Sequence, residues 1–219
     1  MTNLTITKVE FRRVIYTSGI CSAVILLLCF LIGTIPSGPT AFFFFLIRSI
    51  GFAASITTSL FAIFTWWAWK WTWLANVMGK PVLHGVWIGQ LQSSFGSGTS
   101  VPIVFVIRQT YLTVSIQSLT GQSEGISRFE AFLRNDRTMA TRLGYVFETR
   151  GFKPGRNTVV SGAGDLRLLR DDTILDGTYW TNDQTHGSLK LKHMAPDTGG
   201  ILAFADALNR WNSPNAWIV

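Results

Sequence analysis

The chain has 219 residues, 47% hydrophobic and only 14% charged, where an ordinary soluble domain is about one quarter charged, and that balance argues against a wholly soluble monomer. Seven charged side chains fall in residues 1–81 and twenty-four in residues 82–219, so the chain divides near residue 80 into an apolar part and a more polar one. The net charge of +7 splits into +5 and +2 across that division, and a second part with thirteen basic against eleven acidic residues lacks the basic stripe needed to coat a DNA or RNA polymer.

The first apolar run, Val14 to Ile35, is 22 residues without a charge, long enough at about 1.5 Å per residue to cross a hydrocarbon core of about 30 Å. Lys8, Arg12 and Arg13 precede it. A cleavable signal peptide starts in the same way, but its apolar core is shorter and ends at a small-residue cleavage site that is missing here. Cys21 and Cys29 are the only cysteines and both lie in this run, so no disulfide framework or thiolate metal site organises the rest.

The turn Pro36-Ser37-Gly38-Pro39 stops the first helix, and a second apolar stretch runs from Ala41 to Trp69, interrupted only by Arg48. The pattern predicts a transmembrane helical hairpin over residues 1–81. With Ile50 to Trp69 embedded, Arg48 can snorkel to the headgroups and Phe42 to Phe45 lie at the interface. Trp66, Trp67, Trp69, Trp71 and Trp73 beside Lys70 form an interfacial aromatic belt. Positive charge flanks the two outer ends of the hairpin and not its turn, which predicts both termini in the cytoplasm. Gly51, Ser55 and Ser59 on the second helix, and Ser18 with Ser22 on the first, form small-residue stripes for close helix packing, within one hairpin or between subunits.

From His84 onward the apolar period changes to alternation, in runs bounded by Gly, Ser, Asn and Asp. Strands are predicted near Val86–Leu91, Ile103–Thr110, Leu112–Ser118, Ser127–Arg134, Leu143–Arg150, Gly164–Leu169, Thr178–Asn182 and Ser188–His193. Eight short strands without crossover helices fit an all-β antiparallel up-and-down barrel over residues 82–219, with a sandwich as the alternative. An eight-stranded barrel holds either a packed core or one small ligand. Ile201 to Trp211 has helical spacing and predicts a short C-terminal helix that plugs a barrel end or lies beneath the membrane.

Catalytic chemistry finds no support. His84, His186 and His193 are far apart in sequence with no metal-ligand spacing, and Asp171-Asp172 beside Arg170 reads as a solvated turn. Neither a catalytic set, a metal nor a cofactor is expected. Ligand recognition fares better, because aromatics share strands with hydrogen-bonding groups: Tyr111 near Gln109, Tyr145 near Glu148 and Arg150, and Tyr179-Trp180 near Thr178, Thr181 and Asn182. Flat aromatic faces stack on nucleobases, and Arg or hydroxyl donors meet phosphate oxygens. Each aromatic also suits barrel core.

Two membrane helices followed by His84-Gly85-Val86-Trp87-Ile88-Gly89, Val106-Ile107-Arg108-Gln109-Thr110-Tyr111, Leu175-Asp176-Gly177-Thr178-Tyr179-Trp180-Thr181-Asn182 and His186-Gly187-Ser188-Leu189-Lys190-Leu191 make an order that resembles the two-transmembrane β-barrel effectors of bacterial cyclic-oligonucleotide antiphage systems (CBASS). The resemblance covers nearly the whole chain. Gly85-Val86-Trp87 alone also resembles the opening of lipocalins. The CBASS resemblance implies an inner-membrane receptor whose barrel binds a cyclic dinucleotide made by a partner nucleotidyltransferase. Binding would drive homo-oligomerisation, and the assembled hairpins would disrupt the membrane and abort infection. Carried onto this chain, it implies Gln109, Thr110, Tyr111, Ser127, Arg128, Tyr145, Thr178 and Tyr179 as pocket residues. The alternative function is a membrane-tethered lipocalin-like barrel for an apolar, lipid-like ligand. The two differ in pocket chemistry: aromatics with an inward Arg or several hydroxyls for the first, almost wholly Phe, Leu, Ile and Val for the second.

Overall fold

A computed structural model describes residues 5, 8–71, 80–94, 100–134, 141–151, 159–169 and 173–218; Trp73 and the Arg170-Asp171-Asp172 turn lie outside the described residues. The chain forms two compact units, residues 6–78 and residues 79–219 together with 1–5.

The first unit is a helical hairpin. α1 spans Lys8–Ile32 and α2 spans Pro39–Trp66, and both are long and apolar enough to cross a membrane. Pro39 opens α2, where its missing N–H is harmless, and a 3₁₀ turn at Ala68–Lys70 follows its end. Ser49, Ala53 and Thr65 of α2 are buried. The Ser22 and Thr57 hydroxyls, 2.9 Å apart, share a hydrogen bond that ties the two helices together.

The second unit is a closed antiparallel barrel: β1 (Gly85–Ser93), β2 (Ser100–Gln109), β3 (Val114–Leu119), β4 (Ser123–Arg134), β5 (Thr141–Gly151), β6 (Val159–Leu169), β7 (Ile174–Thr181) and β8 (His186–Ala195). Each strand pairs with the next, and β8 returns to β1 through Trp87↔His193 and Leu91↔Leu189. Closure leaves no free sheet edge, which decides for the barrel over the sandwich. Trp87, Phe105, Ile107, Leu143, Leu166 and Leu191 are among the side chains that fill the interior. Gly85, at φ +139° where β1 begins, brings its backbone so near the Ala195 carbonyl that a side chain has no space.

β2 is apolar on both faces because both are covered. Its outward Val104 and Val106, with Val86 and Ile88 of β1, form a second cluster with Ile201, Ala207 and Trp217. The short helix α3 (Phe204–Arg210) and the 3₁₀ turn Pro214–Trp217 supply that cover. The Asp206 carboxylate accepts the Leu202 and Ala203 backbone N–H groups at 2.9 and 2.8 Å and so starts α3. The C-terminal segment therefore does not plug a barrel end. It packs on the outer wall, where the valines of β1 and β2 need shielding.

Pairing shifts between Ser127 and Phe129 of β4, and beyond that irregularity Glu130 and Phe132 are buried while Phe129 and Leu133 are exposed. The more apolar-looking side of this strand thus faces outward.

Candidate functional site

The barrel has two chemically different ends. At the end where the chain reaches β1, the side chain of Gln109 joins β2 to the incoming segment: its carbonyl oxygen accepts the Leu83 N–H at 2.6 Å and its amide donates to the Pro81 carbonyl at 2.9 Å. Lys80 is buried there, with its ammonium donating to the Tyr111 carbonyl and lying over the Tyr111 and Phe132 rings. Tyr111 is fully buried. Thr110 shapes the adjoining β2–β3 turn by accepting the Leu112 and Thr113 N–H groups.

At the opposite end, where β1, β3, β5 and β7 finish, the interior opens into a cup of about 230 Å³. Tyr145 and Tyr179, with Phe105, Phe147 and Leu189, form its apolar wall, and Ser118, Thr120, Ser123, Thr149, Thr181 and Thr185 add hydroxyls. No side chain with a formal charge lines it among the described residues. Two pairs of these hydroxyls are hydrogen-bonded to each other, Thr120 with Ser123 at 2.9 Å and Thr181 with Thr185 at 2.6 Å.

Glycines make room for the rings. A Cβ on Gly164 would lie 2.4 Å from the Tyr145 ring, one on Gly162 2.6 Å from Phe147, and one on Gly187 2.8 Å from Tyr179. Tyr145, Phe147 and Tyr179 therefore each lie across a bare stretch of the neighbouring strand. Tyr145 also meets Phe105 edge-on at 5.9 Å and Phe147 at 5.6 Å. Burial, with Tyr179 nearby, holds the Tyr145 phenol well above its ordinary range, so it stays protonated and able to donate.

Of the residues implied by the family resemblance, the fold brings Tyr145 and Tyr179 together in the cup and Gln109 and Tyr111 together at the far end. Ser127 accepts the Ile116 N–H at 2.8 Å. Arg128 lies on the outer wall, bound to Glu148 at 2.7 Å, and Thr178 is exposed. Arg150 is exposed as well, so the charges beside Tyr145 in sequence belong to the outer surface. The hydroxyls at 118, 120, 123, 149 and 185 are absent from the sequence-based set. Alternation from Tyr145 to Thr149 and from Tyr179 to Thr181 was the available signal for part of it.

Glu130, paired across the sheet with Tyr145, is buried. Burial raises its pKa above the ordinary 4.5, opposed by a hydrogen bond from Ser127. The folded state holds this proton where the unfolded chain has lost it, so the associated stability is present below pH 4.5 and is lost as pH rises through the folded value. Glu130→Gln is therefore expected to raise the melting midpoint at pH 7 by a few degrees, on the order of 1 kcal/mol, and by less at pH 4. Melting curves at the two pH values check this.

Comparison with known proteins agrees with this architecture. Residues 78–193 match the family described as "Cap15, cyclic dinucleotide receptor domain". The chain belongs to the Cap15 family. It is 25% identical over 141 residues to a CD-NTase-associated protein 15 of Escherichia albertii, covering 62% of this chain and 72% of that one. A protein of the same name from Staphylococcus schleiferi is 23% identical over 146 residues, covering 66% and 79%. The Cap15 match begins just before β1 and ends within β8, so it spans nearly all of the barrel and the whole lining of the cup. A Cap15 receptor domain behind two helices fit to cross a membrane makes the chain a CBASS effector of this family.

Proposed function

We propose that the cup at the β1-β3-β5-β7 end binds the cyclic dinucleotide, and that binding drives assembly of the hairpins in the inner membrane and breaches it, aborting phage infection. The observation that carries this reading is the lining. Eight of its fourteen residues bear hydroxyls, Tyr145 and Tyr179 included, whereas a cup for an apolar lipid is lined almost wholly by hydrocarbon. Base stacking on tyrosine contributes about 1–3 kcal/mol per base. The hydroxyls of residues 120, 123, 149, 181 and 185 lie at strand ends, where they meet the phosphates without a buried cation. A cup of about 230 Å³ is smaller than most sites for whole ligands, about 300–1,000 Å³; it receives the bases and leaves the phosphate ring at the rim.

A cytoplasmic barrel, facing the synthase that makes the messenger, is supported by the charge flanks and by Thr5. The backbone N–H of Thr5 donates to the Leu112 carbonyl at 2.8 Å, so Thr5, ahead of α1, belongs to the barrel unit. A hairpin crossing twice returns the chain to that same side. The exposed Phe129, Leu133 and Val146 on β4 and β5 offer the barrel an apolar face for a second copy.

The test is calorimetric titration of the full-length protein in lipid nanodiscs with a panel of purine and pyrimidine cyclic dinucleotides. One of them is expected to bind tightly and selectively. Binding of fatty acids with no response to any cyclic dinucleotide would instead establish the lipid-binding barrel.

A further inference from the structure

We infer that the hairpin carries its own lipid site: a phospholipid with a net negative headgroup lies with an acyl chain in the cleft between α1 and α2, its phosphate held by Arg48. The cleft has a volume of about 660 Å³ and is walled by Ile25, Leu28 and Ile32 of α1 and Phe52 and Ile56 of α2, with Arg48 and Thr34 beside this hydrocarbon. Phe45 completes the wall. Its ring packs on Gly33, where a Cβ would lie 3.0 Å away, and edge-on to Phe30 at 5.4 Å.

Depth places a phosphate where Arg48 needs one. Arg48 precedes Trp66 by eighteen residues of continuous helix, about 27 Å at 1.5 Å per residue. The tryptophan-rich end marks one interface, and a hydrocarbon core is about 30 Å thick. Arg48 therefore stands at the headgroup boundary of the opposite leaflet.

Charge identifies the occupant. A guanidinium beside hydrocarbon is costly without a counter-charge, and Arg48 has no protein partner among the described residues. The only acidic residue of residues 8–71 is Glu10, near the other end of α1. A second copy of the hairpin brings another Arg48 and no carboxylate at this level, so it cannot neutralise the first. The phosphodiester layer of the bilayer can, through paired N–H···O contacts that suit Arg, and an adjoining apolar cleft of acyl-chain chemistry makes that contact a site.

Native mass spectrometry of the full-length protein, released from micelles containing phosphatidylglycerol and phosphatidylcholine in equal amounts, tests the inference. The expected result is one phosphatidylglycerol retained per chain in preference to phosphatidylcholine. Retention should fall about tenfold in Arg48→Gln, the loss expected of one charge-assisted contact, and largely survive in Arg48→Lys. Leu28→Trp, which fills the cleft and leaves the charge, should also lose the lipid. Circular dichroism monitors helix content in every variant. Equal retention of the two lipids by the wild type, or undiminished phosphatidylglycerol on helical Arg48→Gln, overturns the site. Neither result bears on the barrel, whose titration is separate.

Discussion

Tyr145→Leu is expected to weaken cyclic dinucleotide binding by about tenfold to a hundredfold, the loss of one stacking face, while the protein still melts cooperatively within a few degrees of the parent. Tyr111→Leu is expected to do the reverse, lowering the melting midpoint with affinity unchanged. The two tyrosines look alike in sequence, each in a β segment beside polar residues. Their surroundings separate them. Tyr145 lies in the cup wall across Gly164, and leucine retains much of its packing against Phe105 and Phe147. Tyr111 is fully buried at the other end, with the Lys80 ammonium on its ring and its carbonyl. Removing its ring takes away a cation–π contact with a desolvated lysine as well as packing. Titration and thermal melting of both variants decide the matter. Unchanged affinity in Tyr145→Leu would move the ligand out of this cup, and lost affinity in Tyr111→Leu would move it to the opposite end.

The architecture was legible because both parts obey simple periods. Twenty-two residues without a charge have few soluble uses, and eight alternating segments without crossover helices close most simply into a barrel. The observed strands match the expected ones, with the largest displacements at β4, β6 and β7, which start at Ser123, Val159 and Ile174. The added segments carry Gly125, Gly162 and Gly177, which interrupt the alternation of side chains. The role of α3 was harder to read, because its apolar stripe states that it is covered and not by what. The signal lay a hundred residues earlier, in a β2 strand apolar on both faces.

The cup was legible only in part, for a physical reason. Its aromatics announce themselves, but the serines and threonines around them come from the ends of several strands and converge only when β8 meets β1. Adjacency along the chain misleads in a strand, since neighbours point to opposite faces. Arg128 and Glu148 face each other on the outer wall. In β4 the irregularity after Ser127 sends Phe129 and Leu133 outward and turns Glu130 inward, against the polarity of those side chains.

Gly51→Leu and Ser55→Leu are expected to suppress killing by the full-length protein, by at least about tenfold in cell survival, while the purified variants still bind the cyclic dinucleotide, losing only the affinity that assembly adds. Gly51, Ser55 and Ser59 are exposed on α2. A Cβ on Gly51 meets nothing within 4 Å, so a leucine there fits the single hairpin. The Ser55 and Ser59 hydroxyls bond back to the carbonyls of Gly51 and Ser55 at 2.8 and 2.9 Å and need no partner from α1. On α1, by contrast, Ser18 is half-buried and Ser22 is bonded to Thr57, so that stripe serves the hairpin itself. Small residues four apart on an outward face let another helix approach closely, and leucine side chains hold it off. Ligand binding can favour an assembled state only by its preference for that state, so spoiling the helix contact leaves the cup itself unaltered, removes only the affinity that assembly adds, and is expected to break the link to the membrane. Survival counts after co-expression with the cognate synthase, alongside titration of the purified variants, separate the two steps; undiminished killing by both variants removes this face of α2 from the mechanism.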